Sequence, residues 1–173
     1  MTVADYIVAH LESIGVSHCF GLSGGLAMHL FDSLGRSAIT FCAHHHEQAA
    51  VIAADAYARQ TGKLGVCVVT GGPGVSNILT SVISAWQDSI PLLVIAGQVK
   101  TTAMMTSPTE RQRGTFEIAP IPIFQSVTKY CGTMMNAYYA QTMLSAGIDH
   151  ALSNRPGPVL LEVPLDVQGA EYV

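Results

Sequence analysis

Apolar positions along the chain fall into two rhythms. Val3, Ile7, Leu11 and Ile14, with His10 among them, recur at helical spacing, and Gly15 stands where such a helix would stop. Val16 to Phe20 reads as a short strand that enters the flexible turn Gly21-Leu22-Ser23-Gly24-Gly25, and a helix is expected from about Leu26 to Leu34. Ile39 to Ala43 repeats the strand pattern. The Ala-rich stretch Glu47 to Gln60 is strongly helical and closes at Gly62. Leu64 to Thr70 is an almost continuous apolar strand leading into Gly71-Gly72-Pro73-Gly74 and a helix from about Val75 to Gln87. A strand at Pro91 to Ala96 follows, then an irregular crossing over 97–122, a short strand at Phe124 to Tyr130, a helix at Asn136 to Leu152 and a last strand at Pro158 to Val163. Strands that alternate with helices and run apolar throughout predict an α/β fold, with a parallel sheet of about five to six strands covered by helices on both faces.

Composition narrows the class. The 173 residues suit one domain with its own core, and no internal repeat or linker divides them. The chain is 49% hydrophobic and only 12% charged, which excludes a disordered polymer and predicts an outer surface partly covered by partner protein. A net charge of -4, with eight scattered Lys and Arg, offers no basic stripe for nucleic acid. The apolar run Leu92 to Ala96 is too short to cross a bilayer, and the N-terminus lacks a basic-then-apolar signal pattern, so no membrane partner and a cytoplasmic location are expected. Cys19, Cys42, Cys67 and Cys131 are widely spaced without a CxxC pair and read as buried free thiols.

Ligands of a parallel sheet gather at the carboxyl ends of its strands. Three features fall at such ends: Gly21 to Gly25, His44-His45-His46-Glu47, and Thr70 to Gly74 with Asn77. The glycine turn at 71–74 could let a ligand approach the backbone or could simply be a tight strand-to-helix turn; it fits neither the P-loop nor the GxGxxG pattern. Adjacent histidines project in different directions, so the triplet fits hydrogen bonding better than shared ligation of one metal, and no metal site is expected. Glu47 is either an ordinary first-turn acid favoured by the helix dipole or a carboxylate aimed into an apolar pocket and suited to proton transfer. The helix end favours its anion and desolvation its neutral acid, and the two readings stay open at this level.

Several blocks of the chain resemble the pyrimidine-binding (PYR) domain of thiamine-diphosphate enzymes of the acetolactate synthase and pyruvate oxidase type. They are His46 to Ala50, Ala54-Asp55-Ala56-Tyr57-Ala58-Arg59-Gln60-Thr61-Gly62-Lys63 onward to Val66, Thr70 to Asn77, Ala85 to Leu92, Ala96-Gly97-Gln98, and Gly157-Pro158-Val159 with Pro164 to Gln168. Their order and spacing match from about residue 2 to 168. The resemblance implies that residues 1–173 are a single PYR domain and that Glu47 hydrogen-bonds N1′ of the aminopyrimidine. Proton sharing there favours the imino tautomer that removes the thiazolium C2 proton, and the activated ring then attacks a 2-keto acid and accepts the electrons of decarboxylation. It further implies that Ser23, Gly24, Thr70, Pro73, Gly74 and Asn77 line the pyrimidine, with Gly25 and Phe116 on the substrate side.

Two departures are visible. Ser23 stands where the family commonly has Pro, which makes that loop less rigid. Thr115-Phe116-Glu117 replaces Phe-Gln-Glu of the acetolactate synthases, so Phe116 removes a hydrogen-bonding side chain near the substrate. Nothing matches the Gly-Asp-Gly motif with which a separate PP domain binds diphosphate and Mg²⁺. The middle and PP domains are therefore expected to be absent, and the chain to be inactive until it meets a second PYR domain and a PP domain. An end just past Asp166-Val167-Gln168 favours a segment of a longer polypeptide. A natural small subunit of a split enzyme, such as sulfopyruvate decarboxylase, is the alternative. A non-catalytic assembly module of the same fold and a metal-dependent hydrolase using the histidines are the other readings.

Overall fold

The computed structural model describes residues 1–107 and 109–172. Its strands are β1 (His18–Leu22), β2 (Thr40–Ala43), β3 (Gly65–Val69), β4 (Leu92–Gln98), β5 (Tyr130–Thr133) and β6 (Pro158–Pro164). They form one six-stranded sheet in the order β2-β1-β3-β4-β6-β5, and every pairing is parallel. The α/β class follows directly, because parallel neighbours need crossover connections and the sheet must be buried on both faces.

The helices are α1 (Val3–Ser13), α2 (Met28–Gly35), α3 (Glu47–Thr61), α4 (Pro73–Ser76), α5 (Leu79–Asp88), α6 (Pro120–Phe124), α7 (Ala140–Leu152) and α8 (Leu165–Gly169). Strand residues alternate between two cores. Val66, Val68, Leu93, Ile95, Val159 and Leu161 pack with Ile7, Leu11, Leu30, Leu144 and Val167 from α1, α2, α7 and α8. Cys67, Val69, Leu92, Val94 and Leu160 pack with Ala50, Ala54, Val75, Val82 and Phe124 from α3, α4, α5 and α6. The uninterrupted apolar strands thus feed both faces at once, as buried parallel strands do.

Local rules account for the ends of the principal helices. Thr2 and Asp5 form a capping box on α1, each side chain accepting the other's backbone N–H. His46 caps α3 by accepting the N–H of Gln48, and Gly62, in the left-handed region at φ 69, closes it.

Sequence expectation and structure part company between 75 and 139. The expected helix at 75–87 is two pieces, α4 and α5, broken at Asn77 and Ile78. The expected strand at Phe124 to Tyr130 is wrong: α6 occupies 120–124 and the strand begins only at Tyr130. Pro120 and Pro122 lie in the first turn of α6, where no N–H is needed and φ is already helical, so residues that look like helix breakers start one. Asn136 begins a single 3₁₀ turn at Ala137–Tyr139, and α7 starts at Ala140. Outside that stretch, the first strand begins at His18 rather than Val16, and a short helix, α8, follows the last strand.

All four cysteines lie in strands and are free; Cys19 and Cys67 are buried, whereas Cys42 and Cys131 are half-buried. Burial pushes the Cys19 thiol up to about 12 and raises that of Cys67 as well. Among the described residues no helix is long and apolar enough to cross a membrane.

Candidate functional site

The chain leaves β1 for α2 on one face of the sheet and leaves the adjacent β3 for α4 on the other. A crevice opens at the carboxyl ends of strands where successive connections diverge in this way. Here it is a cleft of about 400 Å³ lined by Gly25, Leu26, Glu47, Thr70, Gly71, Pro73, Gly74, Thr115 and Phe116.

Close backbone packing shapes its floor. Thr70, just past β3, accepts the N–H of Leu26 at 3.2 Å through Oγ1 and ties the two glycine turns together. Gly24 lies flat on that threonine: a Cβ there would come within 2.5 Å of Thr70 Cβ. Gly72 holds φ 63 with ψ -123, and a side chain would collide with the carbonyl of Phe116. Only glycine meets both demands.

Glu47 is the single charged residue in the lining. It opens α3 and is only 7% exposed. Its Oε2 accepts a hydrogen bond of 2.8 Å from Asn77 Nδ2, while Oε1 takes none from the described residues. A Cβ on Gly74 would stand 2.6 Å from Thr70 Cγ2 and 3.3 Å from Glu47 Oε1, so the missing side chain keeps space in front of that oxygen. The cleft therefore offers one carboxylate oxygen, without a protein partner, at the edge of a largely apolar volume. That arrangement can exchange or share a proton with a bound ring nitrogen.

The structure brings Gly25, Glu47, Thr70, Pro73, Gly74 and Phe116 together in the cleft wall. Asn77 stands behind Glu47 as its donor, and Gly24 stands behind Thr70. Ser23 is exposed between β1 and Gly24 and is outside the lining. Leu26, Gly71 and Thr115 complete the wall; Gly71 belongs to the glycine turn already singled out, whereas Leu26 and Thr115 carry no distinctive chemistry and were not among the expected site residues. The histidines diverge as expected: His44 meets the Cys42 carbonyl at 3.0 Å, His45 is exposed and His46 caps α3. Among the described residues no group of three or more His, Cys, Asp or Glu is arranged to hold a metal ion.

A second polar cluster lies farther along the same sheet edge. Glu162 on β6 is 1% exposed and faces Ala96 of β4 and Thr133 of β5 in register. Its Oε1 accepts from Gln98 Nε2 at 2.7 Å and its Oε2 from Thr133 Oγ1 at 2.6 Å. Burial pushes its carboxyl up to about 7, opposed by these two bonds and assisted by the nearby charge of Glu117. Burial would raise Glu117 too, yet the N–H groups of Met105, Gly114 and Arg113 outweigh it and hold that carboxyl below its ordinary value. Glu162 was missed in the sequence, although a lone acid inside an apolar strand was a signal.

Residues 1–118 match the family described as thiamine pyrophosphate enzyme, N-terminal TPP binding domain. The chain is 35% identical over 168 residues to the acetolactate synthase isozyme 2 large subunit of Escherichia coli (strain K12), an alignment covering 97% of this chain and 30% of that protein. Against chloroplastic acetolactate synthase 1 of Oryza sativa subsp. japonica it is 36% identical over 167 residues, with 95% and 25% covered. Against the acetolactate synthase large subunit of Corynebacterium glutamicum it is 37% identical over 173 residues, with 99% and 26% covered. The chain thus spans about a quarter to a third of the length of these relatives.

Proposed function

The chain belongs to the thiamine pyrophosphate enzymes as their N-terminal TPP-binding domain, and from that premise we propose that it is the pyrimidine-binding half-site of an acetolactate synthase-like 2-keto acid enzyme, with Glu47 acting at N1′ of the cofactor. The observation that carries this reading is the buried Glu47 carboxylate with one oxygen tied to Asn77 and the other turned loose beside the cleft.

The residues fit the group. A volume of about 400 Å³ accepts a planar heteroaromatic ring, and Leu26, Gly71 and Pro73 give it apolar walls. The bound cofactor supplies an electron-accepting thiazolium, which makes loss of a carboxylate from a 2-keto acid feasible. The protein's part is orientation and proton placement. Asn77 fixes which oxygen of Glu47 points outward. Gly74 leaves room for a ring edge, and Thr70 holds the Leu26 loop against it. Glu47 then holds a proton at the ring nitrogen.

By the same reading residues 1–173 are a PYR domain only. Diphosphate and Mg²⁺ are held by a PP domain supplied in the full polypeptide or by a partner subunit, and a second PYR domain covers part of the present surface. The exposed face of α3 suits such cover: Ile52 is 53% exposed between the exposed Ala49 and Ala56.

Reconstitution tests the half-site directly. With thiamine diphosphate, Mg²⁺ and a 2-keto acid, the assembled enzyme turns over and residues 1–173 alone do not. Turnover by the isolated chain overturns the half-site assignment.

A further inference from the structure

Phe116 forms part of the cleft wall under unusual conditions. Its backbone is in the left-handed region at φ 62, disfavoured for a bulky side chain, and the residue is 65% exposed. Burial of the ring therefore cannot be what holds it there. Strained backbone persists only where the surroundings over-determine it, and the restraints lie on either side. Glu117 accepts the N–H groups of Arg113 and Gly114, both at 2.9 Å, and that of Met105, which folds the turn leading to Phe116. On the other side, the carbonyl of Ile118 accepts from Gln98 Nε2 at 2.9 Å.

Gln98 has no freedom to turn. Its Oε1 accepts the N–H of Val99 at 2.8 Å, so Nε2 must face Ile118 and Glu162. One Nε2 proton goes to Ile118 and the other to Glu162 Oε1, whose second oxygen is taken by Thr133. Gln98 and Glu162 are each 1% exposed, so no solvent competes for these bonds.

We propose that Glu162 is a positioning residue of the cleft: by fixing the Gln98 amide it clamps the Ile118 carbonyl and holds Phe116 in the wall of the site. This rests on reading the cleft as a cofactor and substrate site, with Phe116 on its substrate side. Losing the acceptor at 162 leaves a buried Nε2–H unpaired, so the amide is drawn away from Ile118. The turn at 114–118 then relaxes while Glu47 and Asn77, on other elements, stay in place.

The test uses hydrogen exchange and steady-state kinetics on the assembled enzyme. In Glu162→Ala the amides of residues 114–118 exchange on the order of ten-fold faster, and KM for the 2-keto acid rises on the order of ten-fold while kcat falls by less. Glu162→Gln keeps an acceptor for Gln98 and restores both. Should Glu162→Ala fail to fold, Gln98→Met, which removes both donated bonds at similar volume, carries the same expectation. Unchanged exchange at 114–118, a loss spread evenly over the sheet, or a Gln variant as impaired as the Ala variant overturns the proposal. The exchange arm needs no cofactor: an enzyme that fails to bind thiamine diphosphate sinks the cofactor reading while the clamp still stands or falls on exchange alone.

Discussion

Glu47 and Glu162 are both buried acids at the carboxyl edge of one parallel sheet, but their surroundings differ in kind. Glu162 spends both oxygens on internal donors beside a small cavity of about 140 Å³. Glu47 spends one oxygen on Asn77 and leaves the other facing a cleft of about 400 Å³. Burial alone therefore does not mark an acid as chemical. What separates the two is an unused hydrogen-bonding valence next to space for a ligand; the satisfied acid positions backbone instead.

The largest expected effect breaks the comparison at Glu47. Removing a general acid–base residue typically costs about 10²–10⁴ in rate, so Glu47→Gln in the assembled enzyme should lose turnover on that scale while its melting temperature moves little. A loss matched by general destabilisation would make Glu47 as structural as Glu162.

A smaller effect, with a definite pH signature, is expected at Glu162. Its carboxyl is raised from an ordinary 4.5 to about 7, so the stability it contributes is complete below pH 4.5 and is lost as pH rises through 7. At about 1.4 kcal/mol per pH unit the ionised form costs about 3 kcal/mol. Glu162→Gln should therefore match the wild type at pH 4 and exceed it in stability by up to about 3 kcal/mol at pH 8, as read from paired melting curves. A constant difference across that range would mean that the acid does not ionise as its burial implies.

Asn77→Ala should be the mildest of the three. Asn77 is exposed and supplies one hydrogen bond, so a loss of about 1 kcal/mol in orientation is expected, and cofactor activation should slow by roughly ten-fold or less. A larger loss, approaching that of Glu47→Gln, would show that Asn77 does more than aim the carboxylate.

The two regions also differ in how far they could be read from sequence. The Glu47 region was legible because its signals are local: an apolar strand, an Ala-rich helix with an acid at its first position, a closing Gly62, and glycines after β3. The Glu162 cluster was not, because Gln98, Thr133 and Glu162 meet only through strand pairing across β4, β6 and β5. No spacing along the chain announces that register. The stretch 120–133 misled for a different reason: Phe124, Val127 and Tyr130 suit a strand, but two prolines in a helical first turn decided the local structure. Leu26 joined the cleft by tertiary packing and carries no pattern that could have nominated it, and Thr115 entered the wall beside Phe116.

The central claim is that Glu47 activates the cofactor through its free oxygen, and hydrogen–deuterium exchange at C2 of enzyme-bound thiamine diphosphate, followed by NMR after rapid quenching, tests it most directly. The account predicts exchange slowed by about 10²–10⁴ in Glu47→Gln relative to the wild type, with the cofactor still bound. An exchange rate equal to that of the wild type at full cofactor occupancy would contradict it.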